Sequence, residues 1–148
     1  MQCASEIDEI RTIANDIARR RERGVEWSQM VVLYGHPETQ KKLYSVFTSL
    51  NFPYFNVAFN RTNKVRVMSA GNVLRTATYQ LLKGLEFSVV YVCGVNKIFE
   101  AGASEDDSTR RRLVYVALTR AMDELFVTVS GNGPIGQALI DAHNRLSA

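Results

Sequence analysis

The chain has 148 residues, 46% of them hydrophobic and 22% charged, which is the make-up of one globular domain with enough apolar material for a real core. That excludes a disordered or low-complexity chain, and a net charge of +3 permits nucleic-acid contact without arguing for it. Two cysteines and two histidines lie at no ligand spacing, so no zinc site is expected. Cys93 ends an apolar run, so a reduced, buried thiol and a cytoplasmic protein are expected. No apolar run reaches membrane-spanning length, and Met1-Gln2-Cys3-Ala4-Ser5-Glu6 has no signal-peptide pattern.

In chain order, Ser5 with Asp8 three residues on resembles a capping box. Ile7, Ile10, Ile13, Ala14, Ile17 and Ala18 then recur at helical spacing. Arg19-Arg20-Arg21-Glu22-Arg23 closes this helix with cations, and Gly24 suits its C-terminal cap. The arginine run is read as a solvated helix end, with phosphate contact as the alternative. Met30-Val31-Val32-Leu33-Tyr34 is a continuous apolar run, the pattern of a strand buried on both faces. Gly35-His36-Pro37 turns into a helix with Leu43, Val46, Phe47 and Leu50 on its apolar face, His36 serving as a turn or cap residue. Phe55 to Phe59 is read as extended, with Pro53 at its beginning.

Asn60 to Lys64 is turn-forming, Val65 to Met68 alternates, and Val73 to Thr78 is another strand. Val89-Val90-Tyr91-Val92-Cys93 is a second wholly apolar strand. Asn96 to Ser104 is expected to be loop, Arg110 to Met122 a helix, and Glu124 to Ser130 the last strand. Gly131 to Pro134 turns into a final helix anchored by Ile135, Leu139, Ile140 and Leu146. Strands alternate with helices, so the fold class is α/β with a mostly parallel sheet covered on both faces.

A parallel α/β sheet binds ligands at the carboxyl ends of its strands. Two polar stretches are expected near such ends. One holds Gln80, Lys83, Gly84 and Glu86, and the other is Thr119-Arg120. Arginine gives planar, multi-donor recognition of phosphate, a glutamate can accept hydrogen bonds from ribose hydroxyls, and a glycine lets backbone N–H groups approach an anion. Together these could form half of a nucleotide site. Taken separately, Lys83-Gly84-Leu85-Glu86 reads as a helical turn with a glycine stop, and Arg120 as a helix-terminal cation reaching solvent.

Thr78, Gln80 and Lys83-Gly84-Leu85-Glu86-Phe87, followed by an apolar strand, resemble motif V of the UvrD/Rep-like superfamily 1 DNA helicases. Leu113, Tyr115-Val116-Ala117-Leu118-Thr119-Arg120-Ala121, followed by another strand, resemble their motif VI. Order and separation fit, and Ser5 to Tyr54 resembles, less specifically, the helix–strand–helix stretch that precedes motif V. The resemblance implies one domain over residues 1–148, the C-terminal RecA-like domain called 2A. It would be a P-loop NTPase-type three-layer sandwich lacking its own phosphate loop.

By position, the resemblance implies that Arg120 contacts the ATP γ-phosphate, Glu86 hydrogen-bonds the ribose, and Gly84 lies against the γ-phosphate. Thr78 and Gln80 match positions near the bound single strand, and Lys83 is grouped with them as a nucleic-acid contact. Many relatives have histidine where this chain has Gln80, which donates a hydrogen bond but carries no charge. Tyr115 is expected to pack. No Gly-x-x-x-x-Gly-Lys-Ser/Thr loop and no acidic Walker B-like strand end is present, and Phe55 to Asn72 is too short for the 2B domain of many relatives. The expectation is therefore a motor domain that completes an ATP site on an N-terminal RecA-like ATPase domain and grips single-stranded DNA. ATP and Mg2+ would act in the complete motor, with neither held tightly by this chain alone and no hydrolysis by it. The alternatives are a nucleic-acid-binding or regulatory module that kept the fold without catalysis, and a remnant with neither role.

Overall fold

The computed structural model describes residues 1–57, 71–79, 86–96, 107–131 and 133–147. Ala58 and Phe59 of the expected extended stretch, the expected turn Asn60 to Lys64, the expected strand Val65 to Met68, the loop after Asn96, and Gln80, Lys83 and Gly84 lie outside the described residues.

In chain order the elements are β1 (Gln2–Cys3), α1 (Glu6–Glu22), a 3-10 turn (Trp27–Gln29), β2 (Met30–Tyr34), α2 (Pro37–Ser49) and β3 (Tyr54–Asn56). After these come β4 (Leu74–Thr78), β5 (Phe87–Val92), α3 (Asp107–Leu118), β6 (Ala121–Val127), β7 (Val129–Ser130) and α4 (Pro134–Ser147). Five strands form one sheet in the order β3-β4-β2-β5-β6, every neighbouring pair parallel. β1 and β7 make a separate two-stranded parallel pair.

The apolar strand β2 sits at the centre, and its alternating side chains feed two cores. Met30, Val32 and Tyr34 join Ile10, Ile13 and Ile17 of α1 and Leu43 and Phe47 of α2 on one face. Val31 and Leu33 join Val114 and Ala117 of α3 and Ile135 at the start of α4 on the other. Helices on both faces of a parallel sheet make the expected three-layer α/β sandwich. Each fully buried Ile, Leu or Phe contributes roughly 1.5–3 kcal/mol relative to exposure.

Local chemistry explains the helix ends. Ser5 Oγ accepts from the Asp8 backbone N–H at 3.3 Å, and Gly24 follows the C-cap with φ +92°, a left-handed conformation that favours glycine. His36 caps α2, its Nδ1 accepting from the Glu38 N–H at 3.1 Å, so it is a cap residue as expected. Cys93 is free and fully buried.

Three expectations are corrected. The helix placed at Arg110 to Met122 is Asp107–Leu118, and Ala121 and Met122 already belong to β6. The Arg120 N–H turns back to the Ala117 carbonyl at 3.2 Å and closes the helix, while Ala121 pairs with Phe87 and opens the strand. The last strand breaks at Thr128 into β6 and β7, because β7 leaves the main sheet to pair with Gln2–Cys3, a strand too short to carry a periodicity.

Asn96 ties the turn before α4 to the sheet. Its Nδ2 donates to the Ser130 carbonyl at 2.9 Å, and its Oδ1 accepts from the Gly136 N–H at 3.1 Å. A Cβ on Gly136 would stand 2.5 Å from Asn96 Nδ2 and 2.7 Å from Val129 Cγ1. Gly136→Ala should therefore destabilise the fold by about 1–3 kcal/mol, read as a shifted denaturant midpoint at unchanged slope.

Candidate functional site

Arg120 and Glu86 come together at one edge of the sheet. Glu86 is the residue before β5, and it is exposed. The Phe87 N–H donates to the Arg120 carbonyl at 3.1 Å, so the two residues are held by adjacent strand starts. Arg120 is half-buried, and its Nε–H donates to the Val116 carbonyl of α3 at 3.2 Å. Among the described residues no carboxylate forms an ion pair with it. The helix end thus anchors one N–H of the guanidinium, and its charge has no neutralising partner in the described structure.

Thr78 stands elsewhere. It ends β4, opposite Tyr34 at the end of β2. The following Tyr79 is buried, its N–H donating to the Tyr34 carbonyl at 3.1 Å and its hydroxyl to the Cys93 carbonyl at 2.6 Å. The expectation that both polar stretches lie near carboxyl ends is therefore corrected. Thr78 is at a carboxyl end, while Glu86 and Arg120 are at amino ends, because each immediately precedes the strand it was assigned to. With six residues in β5, the two edges lie roughly 20 Å apart.

Comparison with known proteins finds similarity in the same part of the chain. Residues 77–132 match the UvrD-like helicase C-terminal domain. Over 56 residues the chain is 48% identical to the probable DNA helicase II homolog of Mycoplasma capricolum, covering 34% of this chain and 8% of that protein. The chain thus spans a small part of the length of this curated relative. In fold it is similar to the C-terminal domain of a possible DNA helicase from Lactobacillus plantarum WCFS1, with a TM-score of 0.67 and 17% identity over 91% of this chain and 75% of that one. It is also similar to the Pyrococcus furiosus Hef helicase domain, with a TM-score of 0.57 and 15% identity over 93% of this chain and 28% of that one.

The matched stretch of the UvrD-like helicase C-terminal domain holds both resemblance motifs, and with them the amino-edge pair Glu86 and Arg120. Tyr115 departs from its expected packing role, being 67% exposed on α3. Its position on the helix turns it away from Val114 and Ala117, which carry the core contact.

The carboxyl edge holds a cluster absent from the sequence reading. Glu9 is 1% exposed, and its carboxylate accepts from the Gly94 N–H at 3.1 Å, the Thr128 hydroxyl at 2.9 Å and the Ser130 hydroxyl. Burial pushes its carboxyl above the ordinary value, and the hydrogen bonds from Ser130, Gly94 and Thr128 oppose that rise. Glu6 beside it accepts from Thr39 Oγ1 at 2.9 Å and from Lys42 at 3.3 Å. A small cleft of about 200 Å³ opens between Ser5, Glu6, Glu9, Lys42 and Gly131. A signal was available: Glu9, Ile13 and Ile17 are spaced i, i+4, i+8, so a carboxylate lies on the buried stripe of α1. Among the described residues no group of three or more His, Cys, Asp or Glu could hold a metal ion, and no helix is long and apolar enough to cross a membrane.

Proposed function

We propose that this chain is the C-terminal motor domain of an ATP-dependent superfamily 1 DNA helicase. Its amino edge completes an ATP site on an N-terminal RecA-like ATPase domain, in the same or a separate polypeptide, and its carboxyl edge contacts single-stranded DNA. The observation that carries this is the pairing of Arg120 and Glu86 at adjacent strand starts, with a guanidinium at the end of α3 that no carboxylate neutralises among the described residues. Those two groups fit one side of a nucleotide: a planar cation for the terminal phosphate and an exposed carboxylate for ribose hydroxyls. ATP, when bound with Mg2+, would supply the phosphoryl transfer that powers movement. The chain's own part is to present the Arg120 charge to the transferred group and to orient the sugar through Glu86. Gly84 would lie along the phosphates.

Thr78, Gln80 and Lys83 are assigned to the DNA. Thr78 and Glu86 lie at opposite strand ends, so the DNA contact and the nucleotide contact fall on opposite edges of one sheet. No phosphate-loop lysine motif lies in the chain, so hydrolysis requires the partner domain. The test is an ATPase assay of the chain alone and with its partner ATPase domain. No turnover alone and DNA-stimulated turnover in the pair are expected. Robust hydrolysis by the chain alone, or a pair no faster than the ATPase domain by itself, would overturn the proposal.

A further inference from the structure

The arginine run at the end of α1 has a use that the solvated-end reading leaves out. Arg20 is only 15% exposed, although it stands in the last turn of a surface helix. Its Nε donates to Asp16 Oδ2 at 2.7 Å, and its Nη2 to Glu124 Oε2 at 2.7 Å. The same Asp16 oxygen accepts from the hydroxyl of Tyr91, a fully buried residue of β5, at 2.7 Å. A continuous polar chain therefore runs from the sheet interior through α1 to β6.

Glu124 is the informative end of that chain. Phe87 pairs with Ala121, but Val89 pairs with Glu124, so two steps along β5 match three along β6. The extra residue is a bulge lying directly between Arg120 and Glu124. Among the described residues β6 is also an edge strand, with a neighbour on one side. A bulge leaves one residue without a ladder partner and bends the strand locally. The Arg20–Glu124 pair ties to α1 the residue at which the ladder resumes beyond the bulge, while Phe87 holds Ala121 and the Arg120 carbonyl before it.

We propose that Arg20, held by Asp16 and Tyr91, is a positioning residue that fixes the bulge of β6 through Glu124 and thereby sets where Arg120 stands. As a statement about hydrolysis, this rests on the reading of Arg120 as a nucleotide contact. As a statement about geometry, it does not.

Amide hydrogen exchange on the full chain tests the geometry, comparing wild type, Arg20→Met, Glu124→Ala and the double variant. Glu124 is 58% exposed, so its removal does not threaten the core. Exchange of the protected amides in Ala121–Val127 should rise about tenfold in either single variant, with those of β2 and β4 unchanged. The double variant should go no further than the singles, since both break one link. Unchanged β6 amides, uniform acceleration over all strands, or additive effects would overturn the proposal. In the assembled motor, Arg20→Met should then lower kcat roughly tenfold with KM for ATP and DNA affinity unchanged. Wild-type kcat in Arg20→Met beside a dead Arg120→Ala would overturn the positioning role while leaving the nucleotide reading intact. Full activity in Arg120→Ala would overturn the nucleotide reading, and hydrogen exchange would still decide the tether.

Discussion

Replacing Arg120 with alanine in the assembled motor is expected to lower kcat for ATP hydrolysis by about three orders of magnitude while single-stranded DNA affinity is largely kept. The expectation follows from where the guanidinium stands. The helix end anchors it through Nε and Val116, and it has no acidic partner among the described residues. A cation half-buried without a counter-charge is costly unless an anion arrives, and a phosphoryl group in transfer is such an anion. Because the interaction strengthens as charge develops, its loss should appear in kcat and kcat/KM together. Arg120→Lys keeps the charge but loses the planar fork, so it should recover only part of the rate. Steady-state ATPase at saturating DNA, paired with oligonucleotide binding, separates this from a folding defect. A wild-type kcat in Arg120→Ala would remove Arg120 from the chemistry.

The second large effect is expected at Glu9. Its carboxylate is the shared acceptor for three donors from the ends of α1's neighbours, Gly94, Thr128 and Ser130. Glu9→Ala strands those buried donors and should cost about 3–5 kcal/mol in chemical denaturation. Glu9→Gln keeps the shape and one carbonyl, and the two hydroxyls can turn to accept from its amide, so about 1 kcal/mol is expected. The two variants also differ from wild type in pH dependence. Burial raises the Glu9 carboxyl above its ordinary 4.5 in the folded chain. The folded state therefore binds the proton more tightly than the unfolded state. Its stabilising contribution is fully present below 4.5 and is lost as pH rises through the raised value. Wild type should gain stability relative to Glu9→Gln as pH falls from neutrality towards 4.5, and the gap should stay constant below that.

Asp16 and Glu124 titrate in the opposite sense. Burial alone would raise Asp16, but hydrogen bonds from Tyr91 and Arg20 outweigh it and hold the carboxyl low. The hydrogen bond from Arg20 likewise holds Glu124 low. Their contributions are present above the ordinary carboxylate range and fade as pH falls. They are common to wild type and Glu9→Gln and cancel in the difference. A gap that widens as pH rises in favour of wild type would contradict the assignment of Glu9.

Much of this architecture was legible in the residues, for physical reasons that also mark where it stopped. Val31 and Leu33 alternate with Met30, Val32 and Tyr34 in an unbroken apolar run, which only a strand covered on both faces can use. Arg120 and Glu86 were legible as residue types at fixed spacing. Their edge was not, because the carboxyl-end rule was applied to residues that precede their strands. The α3–β6 boundary failed because Thr119-Arg120, the polar pair between Val116 and Met122, fits the last turn of a helix as well as the link into a strand. Gln2–Cys3 became a strand only through its pairing with Val129–Ser130, which no local pattern encodes. The Glu9 cluster was missed because a single carboxylate on an apolar stripe has meaning only once its donors, from Gly94, Thr128 and Ser130, are brought to it.

The measurement that bears most directly on the central claim is the ATPase rate of the partner ATPase domain titrated with this chain, wild type and Arg120→Ala side by side. Saturable stimulation by the wild-type chain, with none from Arg120→Ala at concentrations where both bind, is the predicted result. Equal stimulation by the two chains would contradict the account.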